Sequence, residues 1–368
     1  MRVFKRLGLA LCCLFIGLVL FTLCSDETNS ANGELKIFNW GEYISDGTDD
    51  TMDVVAEFER ETGIKVTAYD TYDSNEQMYA KLKSGSADYD VIFPSDYMIS
   101  RLINEDMLAP IDTASMENYY LVDDAYKGSQ CGYDPTDSYT VPYTWGTVGI
   151  IYNKPMVEEI TGQSAEDVVK GWDVFWDPRF DDNFYMFINA RDSFGIAEKR
   201  LGVSLNETNP DTLELAAALL RAQKPLVQAY VMDEMFDKME NGEAALSPAY
   251  AGDIVTMMEE NEDLCYCFPQ EGSNLFVDAA CIPKNAKNKE NAEKFIDFLN
   301  RPDVALANAE YICYSTPNRG AYELLDEDLK NNPIAYPPEE ILDQCETFLN
   351  LPEDATELME NLWTYVRK

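Results

Sequence analysis

The chain has 368 residues, 46% of them hydrophobic, and a formal net charge of −39 from 28 Lys and Arg against 67 Asp and Glu. That length suits one large or two ordinary domains, and the acidic balance repels nucleic-acid phosphate and anionic lipid while it attracts cations. Histidine is absent, which removes His-based triads, His metal ligands and the commonest neutral-pH general base.

The N-terminal segment is an address, not a fold element. Arg2, Lys5 and Arg6 precede an uncharged run from Leu7 to Cys24, and Ser25 to Asn29 then turn polar. "FTLCSDE" resembles a bacterial lipoprotein processing site with Cys24 as the lipidated residue, although Leu23 is larger than the residue such sites place before the cysteine. The run of about 18 apolar residues also approaches spanning length, so an uncleaved anchor stands beside lipidation. Either route tethers the body to the outer face of the membrane, with 1–24 as leader and 25–33 as polar tether. Without the three leader bases the remainder carries −42. Cys131, Cys265, Cys267, Cys281, Cys313 and Cys345 show no CxxC pair, which argues against zinc and for small structural residues.

Elements then alternate. "LKIFNW" is a short strand. "TMDVVAEFERETG" carries Met52, Val55 and Phe58 at helical spacing and ends in Gly63. "IKVTAY" alternates as a strand. "SNEQMYAKLKSG" opens with Ser74 and Gln77 at capping-box spacing, and "YDVIFPS" is a strand stopped by Pro94. This β-α-β-α-β series predicts a mostly parallel sheet covered by helices.

A second α/β set follows a loop ending in "VPYTWG". It comprises strand "TVGIIYN", strand "FYMFIN", a helix from Ser193, and the amphipathic helix "DTLELAAALLRAQKP". Helix "MDEMFDKMENG" and strand "AALSPAY" come next. "LFVDAACIP" suits either sheet, and "NKENAEKFIDFLN" and "EDATELMENLWTYVRK" are further helices. The fold class is therefore α/β, as two lobes joined by more than one crossing with a cleft between them.

In open α/β sheets ligands sit beyond the carboxyl ends of the strands. There, aromatic rings recur beside acids: Trp40, Glu42 and Tyr43 after the first strand, then Ser95, Asp96 and Tyr97 after "YDVIFP". Asn189, Arg191 and Asp192 follow "FYMFI", Tyr250 and Asp253 follow "AALSPA", Phe276 and Asp278 lie in "LFVDAA", and Tyr314 in "ICYSTPN". One such residue is ordinarily core or rim; recurrence at several strand ends carries the reading. Ring faces attract ammonium groups and pack on methylenes, and fixed carboxylates read the spacing of the charges.

The segments "IFNWGEYI", "TGIKVTAYDTYDSNEQMYAKLKSG", "YDVIFPSDY", "VPYTWGTVGIIYN", "DAACIPKNAKNKENAEKFIDFLNRPDVA" and "YSTPN" resemble the spermidine/putrescine-binding proteins of bacterial ABC importers, from about Leu35 to the C-terminus. The resemblance implies a two-lobed periplasmic-binding-protein-like fold with a hinge. It further implies a monomer that captures a polyamine in the interlobe cleft and delivers it to ABC permease subunits, with no catalysis and neither cofactor nor metal. It assigns ligand contacts to Trp40, Glu42, Tyr43, Ser95, Tyr97, Asn189, Asp192, Tyr250, Asp253, Phe276, Asp278 and Tyr314. Asn189 stands where many spermidine binders have Asp, Tyr250 and Phe276 where the family often has Trp, and Phe348 near a frequent Gln. Asp253 matches a carboxylate of putrescine-binding relatives. Following the family pattern, lobe one is 34–146 plus 277–323 and lobe two is 147–276 plus 324–368.

Two other readings compete. The same fold binds other small molecules, among them other cations; an anion site would want basic residues at the strand ends, where Arg191 alone qualifies and is expected to pair with an acid. An extracellular hydrolase using two carboxylates is compatible with a His-free chain.

Overall fold

The computed structural model describes residues 33–86 and 88–368; the leader, Cys24 and the tether up to residue 32 lie outside them. In chain order the strands are β1 (Glu34–Trp40), β2 (Lys65–Tyr72), β3 (Val91–Ile92), β4 (Leu108–Ala109), β5 (Thr140–Asn153) and β6 (Tyr185–Phe187). They continue with β7 (Ala229–Val231), β8 (Leu246–Tyr250), β9 (Leu264–Cys267), β10 (Ser273–Pro283) and β11 (Cys345–Glu346). β1 pairs in parallel with β2 and β3, and the sheet runs in the order β2-β1-β3-β10-β5-β8.

Local chemistry sets the first helices. Asp53 caps Val54–Thr62 by accepting from the Ala56 amide at 2.8 Å, Val54 and Phe58 bury one face, and Gly63 ends it at φ 72°. Ser74 caps Asn75–Lys83 by accepting from the Gln77 amide at 3.1 Å, while the Gln77 side chain accepts from the Asp73 amide at 2.7 Å. The return bond of the capping box thus reaches one residue further back than the spacing implied.

The largest departure from the sequence pattern is β5. "VPYTWG" is no loop: it and "TVGIIYN" form one 14-residue strand. The first half pairs with β10, from Thr140 opposite Cys281 to Thr147 opposite Leu275; the second half pairs with β8 and β9. Pro142 fits because the register shifts beside it: Asp278 faces Thr144 and Ala279 faces Pro142, which leaves Tyr143 in a bulge. β10 likewise serves both ends, pairing with β3 and β4 at Cys281–Pro283 and with β11 at Ser273 and Asn274.

Two bodies of core flank this ribbon. In one, Leu35, Ile37, Val54, Phe58, Val91, Ile282 and Phe295 pack together; in the other, Val148, Ile150, Trp172, Phe184, Phe194, Leu246 and Trp363 do. Each fully buried side chain of this size stabilises by roughly 1.5–3 kcal/mol. The last helix, Glu353–Arg367, packs on Pro210–Gln223 and buries Trp363 and Val366. Helix Pro302–Ile312 and β9 were not marked by the pattern. The helix expected from Ser193 begins at Ala190, because Asn189 caps it. The six described cysteines are unpaired, with Cys281 and Cys313 buried. Among the described residues no helix is long and apolar enough to cross a membrane.

Candidate functional site

Between the two cores lies a cavity of about 380 Å³, a volume suited to a small ligand. All twelve residues picked from the sequence line it. Trp40, Glu42 and Tyr43 come from the loop after β1; Ser95 and Tyr97 from the start of helix Asp96–Asn104; Asn189 and Asp192 from the start of Ala190–Leu201. Tyr250 and Asp253 come from the junction of β8 with helix Ala251–Glu260, Phe276 and Asp278 from β10, and Tyr314 from just past Pro302–Ile312.

Four of the acids are held by tyrosines. Tyr43 donates to Asp278 at 2.6 Å, Tyr314 to Asp253 at 2.6 Å, Tyr250 to Asp192 at 3.0 Å and Tyr97 to Glu76 at 2.8 Å. None of these four carboxylates forms an ion pair with Lys or Arg among the described residues. Burial pushes Asp192 and Asp278 up to about 6 and Asp253 up to about 7, against the hydrogen bonds that favour the ionised form. Burial also pushes the Tyr43, Tyr250 and Tyr314 hydroxyls well above the usual phenol range, so they remain donors at neutral pH. Asp278 keeps its second oxygen, Oδ1, buried and without a hydrogen-bond partner. An orphaned carboxylate oxygen of this kind costs free energy until a donor arrives.

Rings wall the same space. Tyr314 meets Tyr43 edge-on at 5.3 Å, and Phe276 lies between Tyr250 at 5.5 Å and Tyr314 at 6.0 Å. Two glycines make room for them. A Cβ on Gly146 would sit 2.8 Å from the Phe276 ring, and one on Gly252 would sit 1.9 Å from the Tyr314 ring. Trp40 is half-buried, fixed by its Nε1 bond to the Phe93 carbonyl at 2.8 Å. Glu42 holds a left-handed φ of 45° and is exposed on the rim.

Several neighbours act otherwise than their type implied. Asn189 spends its Oδ1 on the Asp192 amide at 2.9 Å, so it orients Asp192 and caps the helix. Asp96 is wholly buried and accepts from the Tyr97 amide at 2.6 Å and the Val277 amide at 3.4 Å, which ties β10 to the helix start. Arg191 does not pair with an acid: it donates to the Leu205 and Leu349 carbonyls and to Asn206 Oδ1, and lies over the Phe348 ring at 4.3 Å. The carbonyls satisfy the guanidinium without spending a carboxylate of the cleft.

Glu76, Asp233, Asn274 and Phe348 also line the cavity. Glu76 sits at a helix start four residues past β2, and Asp233 two residues past β7, a three-residue strand that the sequence pattern does not mark. Asn274 and Phe276 share one face of β10 with Asp278, so strict alternation along "NLFVD" would have found Asn274. Among the described residues, no group of Cys, Asp and Glu gathers as a metal site.

Two lobes, a β5–β10 ribbon between them and a ligand-sized cavity define a solute-binding architecture. Residues 53–337 match the family of bacterial extracellular solute-binding proteins, and the chain belongs to that family. It is 34% identical over 335 residues to the spermidine/putrescine-binding periplasmic protein of Salmonella typhimurium, covering 91% of each chain. It is 28% identical over 345 residues to the putrescine-binding periplasmic protein of Escherichia coli, covering 90% of this chain and 91% of the other. Among solved structures, a putative spermidine/putrescine ABC transporter protein from Listeria monocytogenes superposes with a TM-score of 0.83 at 36% identity, covering 91% of this chain and 98% of that one. These relatives are transport proteins, not enzymes, which removes the hydrolase reading.

Proposed function

We propose that this protein captures spermidine or putrescine in its interlobe cleft and delivers it to an ABC permease in the membrane. The observation that carries the reading is a set of four cleft carboxylates, Asp278, Asp192, Asp253 and Glu76, each held by a tyrosine hydroxyl and none neutralised by a basic side chain among the described residues. Such a set lacks only cations, and the cavity's rings suit the methylenes between them. Primary amines fit better than quaternary ones, because the orphaned Asp278 Oδ1 needs an N–H donor. In this reading all twelve of the residues named from the sequence contact the ligand or orient groups that do.

The lobes are 34–146 plus 277–323 and 147–276 plus 324–368, hinged where β5 and β10 pass between the cores and closing on the ligand. The protein acts as a monomer outside the cytoplasm, held at the membrane through Cys24 or an uncleaved leader. Calorimetric titration with spermidine and putrescine tests the function. One-to-one binding of either amine is expected; no heat and no thermal shift with both would overturn it.

A further inference from the structure

Asn274 is 6% exposed, lines the cavity, and has an amide oxygen, Oδ1, that is buried without a hydrogen-bond partner. A buried amide oxygen left unpaired costs roughly 1–3 kcal/mol, so a neutral polar side chain here calls for an explanation that core packing does not supply. Its place supplies one. Asn274 stands two residues before Phe276 and four before Asp278 on one face of β10, and four residues of strand span about 13 Å. Pairing with β11 at Glu346 fixes it there, and brings Phe348 over the same end of the cleft.

A gap of about 10 Å³ behind this end is bounded by Asn274, Ser273, Asp192, Gly195, Lys199 and Phe348 among others. Asp192 thus shares both the cavity and the gap with Asn274. Lys199 is already paired with Glu346, and the Ser273 hydroxyl donates to the Val148 carbonyl at 2.6 Å, so neither satisfies Asn274. Phe276 meets Tyr250 edge-on at 5.5 Å and Tyr314 at 6.0 Å, so a line of ring contacts runs along the cavity from Tyr250 to Tyr314.

The geometry points to Asn274 as a length-selecting residue: with Asp192 it forms a subsite for the far terminal ammonium of a linear triamine, which a four-carbon diamine seated on Asp278 and Asp253 does not reach. Asp192 supplies the counter-charge, the Asn274 amide supplies a neutral acceptor, and Phe348 covers the methylenes leading in. This rests on the polyamine reading of the same cleft.

The test is titration of the protein and its Asn274→Leu and Asn274→Asp variants with spermidine and putrescine, with thermal midpoints as the folding control. Asn274→Leu is expected to weaken spermidine about tenfold and putrescine less than twofold. Asn274→Asp, which keeps the shape and adds charge, is expected to raise the preference for spermidine. Equal weakening of both amines, or no change in either, would overturn the subsite while leaving polyamine capture intact. Failure of the unsubstituted protein to bind either amine would overturn both.

Discussion

The outer surface and the cleft treat carboxylates in opposite ways. Outside, Asp88 is gripped by Lys36 at 3.1 Å and Lys287 at 2.8 Å, and Glu61 by Arg301 at 2.6 Å. The lysines hold the Asp88 carboxyl below its usual range. In the cleft the partners are tyrosine hydroxyls, and burial moves the acids up instead. A hydroxyl orients a carboxylate without cancelling its charge. The cleft therefore keeps negative charge that surface pairs such as Asp88 with its two lysines cancel locally, and it leaves that charge open to a cation from solution.

Removing one such charge should break the contrast hardest. Asp278→Asn is expected to raise the Kd for polyamine about a hundredfold, in line with the roughly 3 kcal/mol lost when a buried charge loses its partner. Calorimetry checks this, with Glu327→Gln as a control; equal effects at both sites would remove Asp278 from the binding machinery.

Acidification should come next. The ligand needs ionised acids, and Asp192, Asp253 and Asp278 protonate near 6, 7 and 6. For each acid that must ionise, affinity falls about tenfold per pH unit below its pKa. Binding is therefore expected to weaken at least tenfold from pH 7.5 to 5. The ligand-free fold should move the other way. These pKa values lie above the unfolded ones, so the native state binds more protons and stability rises as pH falls through that window. Glu198, buried without a partner and pushed up to about 8, adds in the same direction. The Asp88 pairs, with a lowered pKa, weaken only under stronger acid. Thermal melts with and without ligand separate the two trends: the free midpoint should rise on acidification while the ligand-induced shift shrinks.

Smaller effects sharpen the picture. Tyr314→Phe leaves the ring but removes the donor to Asp253, and should weaken binding about tenfold, the scale of about 1.4 kcal/mol for a hydrogen bond to a charged group. Asp88→Asn should change Kd less than twofold, because its charge faces lysines on the outer surface.

Much of the cavity lining is legible in the sequence because its residues follow strand ends, and aromatic–acid pairs recur there. The misses have physical causes. Asn274 lies on a strand's face, since β10 lines the cleft with its first half, at Asn274, Phe276 and Asp278, and not just beyond its tip. Asn189 stands where the family often has Asp, but its side chain is spent on the helix start, a capping role that the Asn–x–x–Asp spacing already permits. "VPYTWG" looks like the end of a loop from sequence; only its pairing with β10 shows it to be strand, with a bulge beside Pro142. Arg191 predicts an acid partner from sequence, but carbonyl groups distant in sequence receive it.

The insertion of β10 between β3 and β5 has a consequence for how the chain is made. The first three strands emerge early, yet the neighbour that covers the β3 edge begins at Ser273, so the N-terminal half cannot finish its sheet alone. Contacts so distant in sequence close slowly, and bare strand edges invite mispairing while they wait. The sheet therefore stays incomplete until the last quarter of the chain is present, and both halves then assemble around one late strand.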